Sequence, residues 1–148
     1  MKSVRAFRGA TQLAVDTKAE MKMAVVELLT EILEANSISN DDLISILFTA
    51  TPDLKSDFPA AGVRGLGLVD LPLICAQELD VEGALPRTIR LLIHANSALL
   101  RSEVTHKYLR GAQVLRPDLS KSAGNSSVDL EIDGRYFPQK IYALGYHQ

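Results

Sequence analysis

The 148-residue chain has the length of one ordinary domain, and its 47% hydrophobic content is enough to bury a core. A net charge of −2 gives no basic footprint for nucleic acid, and the lack of tryptophan with only 5% aromatics argues against stacking platforms. One cysteine makes no internal disulfide, no signal-peptide core follows Met1, and no apolar run reaches membrane-spanning length. A cytoplasmic protein that engages neither nucleic acid nor membrane is expected.

Residues 3–8 read as a short strand ended by Gly9. A helix start follows at Asp16 to Glu20, with Thr17 and Glu20 spaced as a capping box. Met21, Ala24, Val25, Leu28, Leu29, Ile32 and Leu33 form one apolar stripe at helical spacing, and the helix should end near Asn36. Glu20, Lys22, Glu27 and Glu31 fall off that stripe and read as solvated. Asn40-Asp41-Asp42 is a turn, Leu43 to Phe48 a buried strand, and Thr51-Pro52-Asp53 its break. Pro59 to about Leu66 reads as a short helix stopped by Gly65 and Gly67. Leu71 to Ala76 is a strand in which Pro72 demands an edge or an early position. Thr88 to Ala95 is a near-continuous apolar strand, expected to be buried on both faces except at Arg90.

Ser102 to Leu109 reads as a helix capped by Ser102 and closed by Gly111, and Ala112 to Leu115 as a last strand before Pro117. The order β-α-β-α-β-β-α-β predicts an α+β fold with helices packed on one face of the sheet. The bare second face favours an oligomer. Residues 120–127 are polar and read as a linker. The tail from Val128 regains Tyr136, Phe137, Ile141, Tyr142, Leu144 and Tyr146, which leaves a hairpin, a docking segment or a disordered extension open. The expected division is a domain over 1–119 and an extension over 120–148.

Arg8, Arg64, Arg90 and Arg116 are the residues that point to chemistry. They lie in Arg-Gly-Ala-Thr, Phe-Pro-Ala-Ala-Gly-Val-Arg, Thr-Ile-Arg-Leu-Leu-Ile and Val-Leu-Arg-Pro-Asp-Leu, all mostly apolar or tightly turned. Burying a guanidinium is costly unless an anion pairs with it. These segments hold few carboxylates, so a small polyanionic ligand is expected to supply some, and arginine suits planar recognition of carboxylates.

Seven ordered blocks carry a family resemblance: Arg8-Gly9-Ala10-Thr11; Ala50-Thr51-Pro52-Asp53-Leu54; Phe58-Pro59-Ala60 with Val63-Arg64; Cys75 with Gln77, Glu78, Asp80 and Val81; Ile89-Arg90; His106 with Tyr108-Leu109; and Val114 through Leu119. Over roughly residues 4–119 the chain resembles the monofunctional chorismate mutases of the AroH class. The resemblance implies a mixed β-sheet with helices on one face, assembled as a pseudo-α/β-barrel homotrimer with active sites in clefts between subunits. It implies an isomerase that converts chorismate to prephenate on the way to phenylalanine and tyrosine, with no cofactor and no metal. Two departures stand out. Ala61 occupies a position where relatives often carry a lysine near the cleft mouth, and the stretch from Arg64 to Leu71 is short with little aromatic character. The tail beyond Leu119 exceeds the resemblance.

The family's site falls on Arg90, Glu78, Arg8 and Tyr108 as the catalytic group, and on Phe58, Arg64, Cys75, Leu115 and Arg116 as further substrate contacts. Arg90 is expected at the ether oxygen, where negative charge grows. Arg8 and Tyr108 are expected on the enolpyruvyl carboxylate, Glu78 on the ring hydroxyl and beside Arg90, and Cys75 on that same hydroxyl. Arg64 and Arg116 are expected to serve the ring carboxylate or the entrance, and Phe58 and Leu115 to supply apolar walls. On the residues alone, blander roles compete. Cys75 reads as a small core residue, Glu78 as a partner of Arg87 or Arg90, Tyr108 as packing, Arg116 as a turn or subunit-contact residue, and His94 and His106 as structural. Two rival functions stay open: a trimeric sensor that binds an aromatic-pathway metabolite without turnover, and an imine or enamine hydrolase of the RidA type on a similar trimeric cleft.

Overall fold

The computed structural model describes residues 1–120, 130–132 and 135–137. Its longest helix, α1 (Lys18–Ala35), follows the apolar stripe, with Met21, Ala24, Val25, Leu28, Leu29 and Ile32 all buried. Thr17 caps it by accepting the Glu20 amide at 3.2 Å. The Glu20 carboxylate accepts the Ala14 amide rather than closing a capping box. At the far end Asn36 is buried and acts as a latch. Its Nδ2 donates to the carbonyls of Ile32 and Thr105, and its Oδ1 accepts the Thr105 amide at 2.8 Å.

The strands are β1 (Ser3–Gln12), β2 (Leu43–Ala50), β3 (Leu73–Gln77), β4 (Thr88–Ser97) and β5 (Lys107–Tyr108). They form one five-stranded mixed sheet in the order β3-β2-β4-β1-β5. Central β4 is antiparallel to β1 and β2, while the edge strands β3 and β5 run parallel to β2 and β1. Pro72 sits just before edge strand β3, where its missing amide breaks no ladder. One face of the sheet packs on α1 through Phe7, Ile46, Phe48, Ile89, Leu91 and Ile93. Gly9 lies under this contact. A Cβ there would stand 2.6 Å from Ile32 Cδ1 and 3.2 Å from the Lys107 carbonyl oxygen, so α1 approaches β1 only over bare backbone.

A short helix, α2 (Ala60–Arg64), packs beside α1 and the β3 edge. Gly65 is still helical at φ −63°, and Gly67 at φ +84° is the residue that turns the chain out.

Four expectations change. First, β1 runs past Gly9 to Gln12, because β4 pairs with it over its whole length. Second, β4 alternates: Ile89, Leu91 and Ile93 are fully buried while Arg90, Leu92 and His94 on the other face keep partial exposure. Third, the expected helix over Ser102–Leu109 is a 3-10 helix at Arg101–Glu103 followed by β5. That stretch has no helical apolar stripe, and pairing with β1 makes it a strand. Fourth, Ala112–Leu115 lies in a 3-10 helix, Arg110–Leu115, whose Ala112 alone is buried. The last helix of the main body is α3 (Pro117–Ser120). In the tail, β6 (Leu130–Ile132) and β7 (Arg135–Phe137) pair antiparallel, the arrangement of the hairpin alternative. The linker positions 121–127, and Ile141, Tyr142, Leu144 and Tyr146, lie outside the described residues. Among the described residues no helix is long and apolar enough to cross a membrane.

Candidate active site

On the face away from α1, one register row crosses the sheet. Tyr108 on β5 opposes Ala10 on β1, Ala10 opposes Arg90 on β4, and Arg90 opposes Thr49 on β2. Neighbouring strands are about 5 Å apart, so the Arg90 and Tyr108 backbones stand about 10 Å from each other. Ala10 lies between them with only a methyl group, which is wholly covered by its neighbours Tyr108, Ala112, Leu85 and Leu115.

Glu78 reaches this row from the end of β3, where its amide donates to the Ala50 carbonyl at 2.9 Å. Its Oε2 accepts the Thr49 hydroxyl at 2.5 Å and lies 3.4 Å from Arg90 Nε. Both charged side chains are largely buried, at 14% exposure for Arg90 and 13% for Glu78. A fixed pair of this kind acts through a lower dielectric than a surface pair does. A cavity of about 250 Å³ opens over it, lined by Arg90 and Glu78 with Thr51, Thr88, Val81 and Leu85.

The Thr51-Pro52-Asp53 segment braces the start of β4. Thr51 Oγ1 accepts the Thr88 amide at 3.0 Å and donates to Asp53 at 2.5 Å. The other Asp53 oxygen accepts the amide of Arg87, which is held at φ +48°. These bonds fix the register two residues ahead of Arg90.

Tyr108 is 8% exposed and packs with Ala10 and Ala112, with Leu85 and Leu115 against them. Leu85 lines the cavity over Arg90 and packs on this cluster, while Tyr108 itself lines a separate cavity of about 450 Å³ with His106, Gln113 and Arg116. Arg116 is equally buried, stands 5.7 Å from the Tyr108 ring centroid, and makes a two-point pair with Asp118 at 2.8 and 3.0 Å. The Asp118 carboxylate strengthens the hold of Arg116 on its proton against the opposing effect of burial. His106 Nδ1 accepts the Arg8 amide at 2.9 Å, which places the neutral ring's proton on Nε2. Burial, and then the charges of Arg116 and Arg8, hold this imidazole below its ordinary value.

The remaining expected site residues lie elsewhere. Phe58 and Ala61 line a separate groove on the helix side, shared with the first turns of α1. Arg64, at the end of α2, is exposed. Cys75 pairs in register with Phe48 and packs against the main core, on the face opposite Arg90. Within one chain its thiol therefore does not reach the Glu78 carboxylate. Among the described residues no group of three or more His, Cys, Asp or Glu is placed to hold a metal ion.

The family model for chorismate mutase type I matches residues 4–119. The chain belongs to the type I chorismate mutase family. It is 44% identical over 120 residues to the chorismate mutase AroH of Thermus thermophilus, covering 80% of this chain and 98% of that one. It is 40% identical over 118 residues to the chorismate mutase AroH of Bacillus subtilis, covering 79% and 93%. A solved chorismate mutase from Clostridium thermocellum superposes with a TM-score of 0.73 at 40% identity, over 74% of this chain and 98% of that chain. Like the rest of this family, the chain is an isomerase.

For a chorismate mutase, the four arginines now separate into distinct environments. Arg90 has Glu78 and Arg116 has Asp118, so each buried guanidinium has a carboxylate from the chain itself. Arg64 is solvated and Arg8 is half-buried. The expectation that Arg64 is not a solvated surface arginine is therefore corrected, and for Arg116 the anion is two residues away in sequence. Arg116 is also too buried to be a screened entrance charge.

Three residues of the site region were not singled out from sequence. Thr49 holds Glu78, and its position next to Phe48 in an alternating strand was the available signal. Ala10 and Leu85 pack against Tyr108 between it and Arg90, but a small residue and a loop leucine carry no sequence signal of that use.

Proposed function

We propose that the chain catalyses the rearrangement of chorismate to prephenate in the cavity over Arg90 and Glu78. The observation that carries this is the row Tyr108–Ala10–Arg90–Thr49 with Glu78 fixed against Arg90. The reaction is unimolecular and pericyclic. One ether C–O bond breaks as one C–C bond forms, and no proton or covalent intermediate is involved. Rate enhancement then comes from holding the compact chair conformer and from stabilising charge that grows on the ether oxygen.

Arg90 is assigned to that oxygen. A cation already fixed by Glu78 needs little reorganisation as the charge develops. Glu78 uses Oε2 for Thr49 and Arg90, and its other oxygen is assigned as acceptor for the ring hydroxyl. Arg8 and Tyr108 are assigned to the enolpyruvyl carboxylate, Arg116 to the ring carboxylate or to firm placement of Tyr108, and Leu115 to the apolar wall.

Phe58, Arg64 and Cys75 sit apart from this cavity in one chain, and this supports a site completed by a neighbouring copy. The sheet face around the cavity also supports an assembly. Leu47, Ile74 and Leu92 lie side by side across three strands, with Leu47 37% and Ile74 64% exposed. Such a strip is characteristic of an interface. We assign the assembly as a homotrimer, residues 1–119 as the catalytic unit, and 120–148 as an extension.

The test is loss of chorismate absorbance with purified protein, prephenate identified as product, and the same assay on Arg90→Ala. Turnover that collapses in the variant supports the assignment. A folded protein that binds chorismate without turning it over is a sensor instead. Sedimentation gives the assembly, and a fully active monomer would refute shared sites.

A further inference from the structure

Edge strand β5 is tied to β1 both by backbone and by a side chain. Gly9 and Ala10 pair in register with Lys107 and Tyr108, and the Leu109 amide donates to the Ala10 carbonyl at 2.9 Å. Ahead of these pairs, the Arg8 amide donates to His106 Nδ1 at 2.9 Å. An imidazole thus stands where a backbone carbonyl would begin the ladder of a two-residue strand. Such a bond lasts only while Nδ1 keeps a free lone pair.

The two ends of this bond are the backbones that carry Arg8 and, two residues beyond His106, Tyr108. Arg8 and Ala10 are two apart on β1, so their side chains leave the sheet on the Arg90 face, opposite Phe7. His106 and Tyr108 line one cavity with Lys107 and Arg116. The charged and titratable neighbours of the ring are therefore Arg8 from β1, Lys107 and Tyr108 from β5, and Arg116 from beyond the 3-10 helix. On the α1 side Glu20 and Glu27 are engaged by Arg110 and Asn36 by Thr105, and Asp118 is engaged by Arg116. Burial, and then the cations Arg116 and Arg8, work against an imidazolium, which keeps the ring a neutral acceptor at neutral pH.

We propose that His106 is a positioning residue for the reaction: its neutral ring locks the Arg8 backbone to the start of β5 and so sets the spacing of Arg8 and Tyr108 for the carboxylate they share. This rests on the chorismate mutase reading above. A protonated ring has no lone pair left on Nδ1, so acid releases the lock and leaves donor facing donor.

The experiment is steady-state chorismate kinetics on the full chain for wild type, His106→Asn and His106→Leu, from neutral to mildly acid pH. Asparagine places an acceptor oxygen the same number of bonds from the backbone as Nδ1 and does not titrate, whereas leucine has no acceptor. At neutral pH His106→Leu should raise KM about five- to tenfold while kcat changes less than about threefold, because Arg90 and Glu78 keep their pair. His106→Asn should restore most of the loss. Wild-type kcat/KM should fall as the pH drops below about 6.5, and this limb should be shallower in His106→Asn. The rearrangement moves no proton and the substrate is the same for both proteins, so the difference between the two profiles reports the imidazole. A merely destabilised fold would lower kcat through the folded fraction and leave KM as it was, and that result for His106→Leu would overturn the inference. So would His106→Asn as impaired as His106→Leu, or identical profiles for wild type and His106→Asn down to the pH at which either unfolds. Absence of turnover in wild type would instead sink the reaction assignment. The lock would then still be read from the Arg8 amide, whose hydrogen should exchange faster in His106→Leu than in His106→Asn.

Discussion

The two faces of the sheet are built from alternate residues of the same strands, yet they do different work. Toward α1, Phe7, Phe48, Ile89, Leu91 and Ile93 are all buried in one cluster, and Gly9 is reduced to backbone so that the helix can close. Away from α1, Arg90 and Thr49 hold Glu78 beside a cavity, and Leu47 and Ile74 are left exposed within the single chain. One face is given over mainly to cohesion. The other accepts two buried charges and a void, and depends on the first for its rigidity.

The sharpest way to break this contrast is Arg90→Ala. Removing one well-placed electrostatic group commonly costs about 3–4 kcal/mol in the barrier, roughly 10²–10³ in rate. The chorismate assay should show that loss, and Arg90→Lys should be severely impaired as well, because lysine lacks the planar fork. Near-normal turnover in Arg90→Lys would remove Arg90 from its assigned place.

The opposite face should respond in stability first. Gly9→Ala forces a methyl against Ile32, Leu28 and the Lys107 carbonyl. Overpacking of this kind costs about 1–3 kcal/mol, read as a lower denaturant midpoint. A midpoint equal to wild type would mean that α1 shifts freely, contrary to the packing described. Asn36→Ala leaves the Thr105 amide and carbonyl without their side-chain partners, with an expected loss of about 1–3 kcal/mol in the same measurement.

A smaller effect distinguishes His106, which belongs to the Tyr108 end. Because its folded-state value is lowered, the unfolded chain binds this proton at the higher pH. Its contribution to stability is complete above about pH 6.5 and is lost as the pH falls through the folded-state value. Denaturant midpoints between neutral and mildly acid pH should fall less in His106→Gln than in wild type. The smallest change expected is in Arg110→Ala. Arg110 pairs with Glu20 at 2.6 Å and Glu27 at 3.4 Å, and a partly exposed pair of this sort is worth about 1 kcal/mol or less.

Those two glutamates show where sequence ceases to be legible. The stripe from Met21 to Ile32, the Thr17 cap and the end at Asn36 were all readable, because a helix is specified by neighbours three and four residues apart. Glu20 and Glu27 looked solvated for the same reason: their partner Arg110 is 90 and 83 residues away, on a turn held at φ +53°. Strand β5 failed as a helix on the same grounds, since its two residues owe their conformation to Gly9 and Ala10. In the site, the pairing of Glu78 with Arg90 was among the alternatives that the residues allowed. The separation of Phe58 and Cys75 from that pair was not, because residue order says nothing about which face of a sheet, or which copy, a side chain serves.

The Asn36 latch has a consequence in time. It closes a loop of 69 residues, and β5 has only two residues of its own to hold it once that loop is shut. An edge strand held by so short a ladder is among the first elements to open in the native state. The Leu109 amide, bonded to the Ala10 carbonyl at 2.9 Å, should therefore exchange its hydrogen sooner than the central amides of β4. Opening there would draw Tyr108 away while Arg90 and Glu78 keep their pair, so the competence of the site rests on the docking of a two-residue strand.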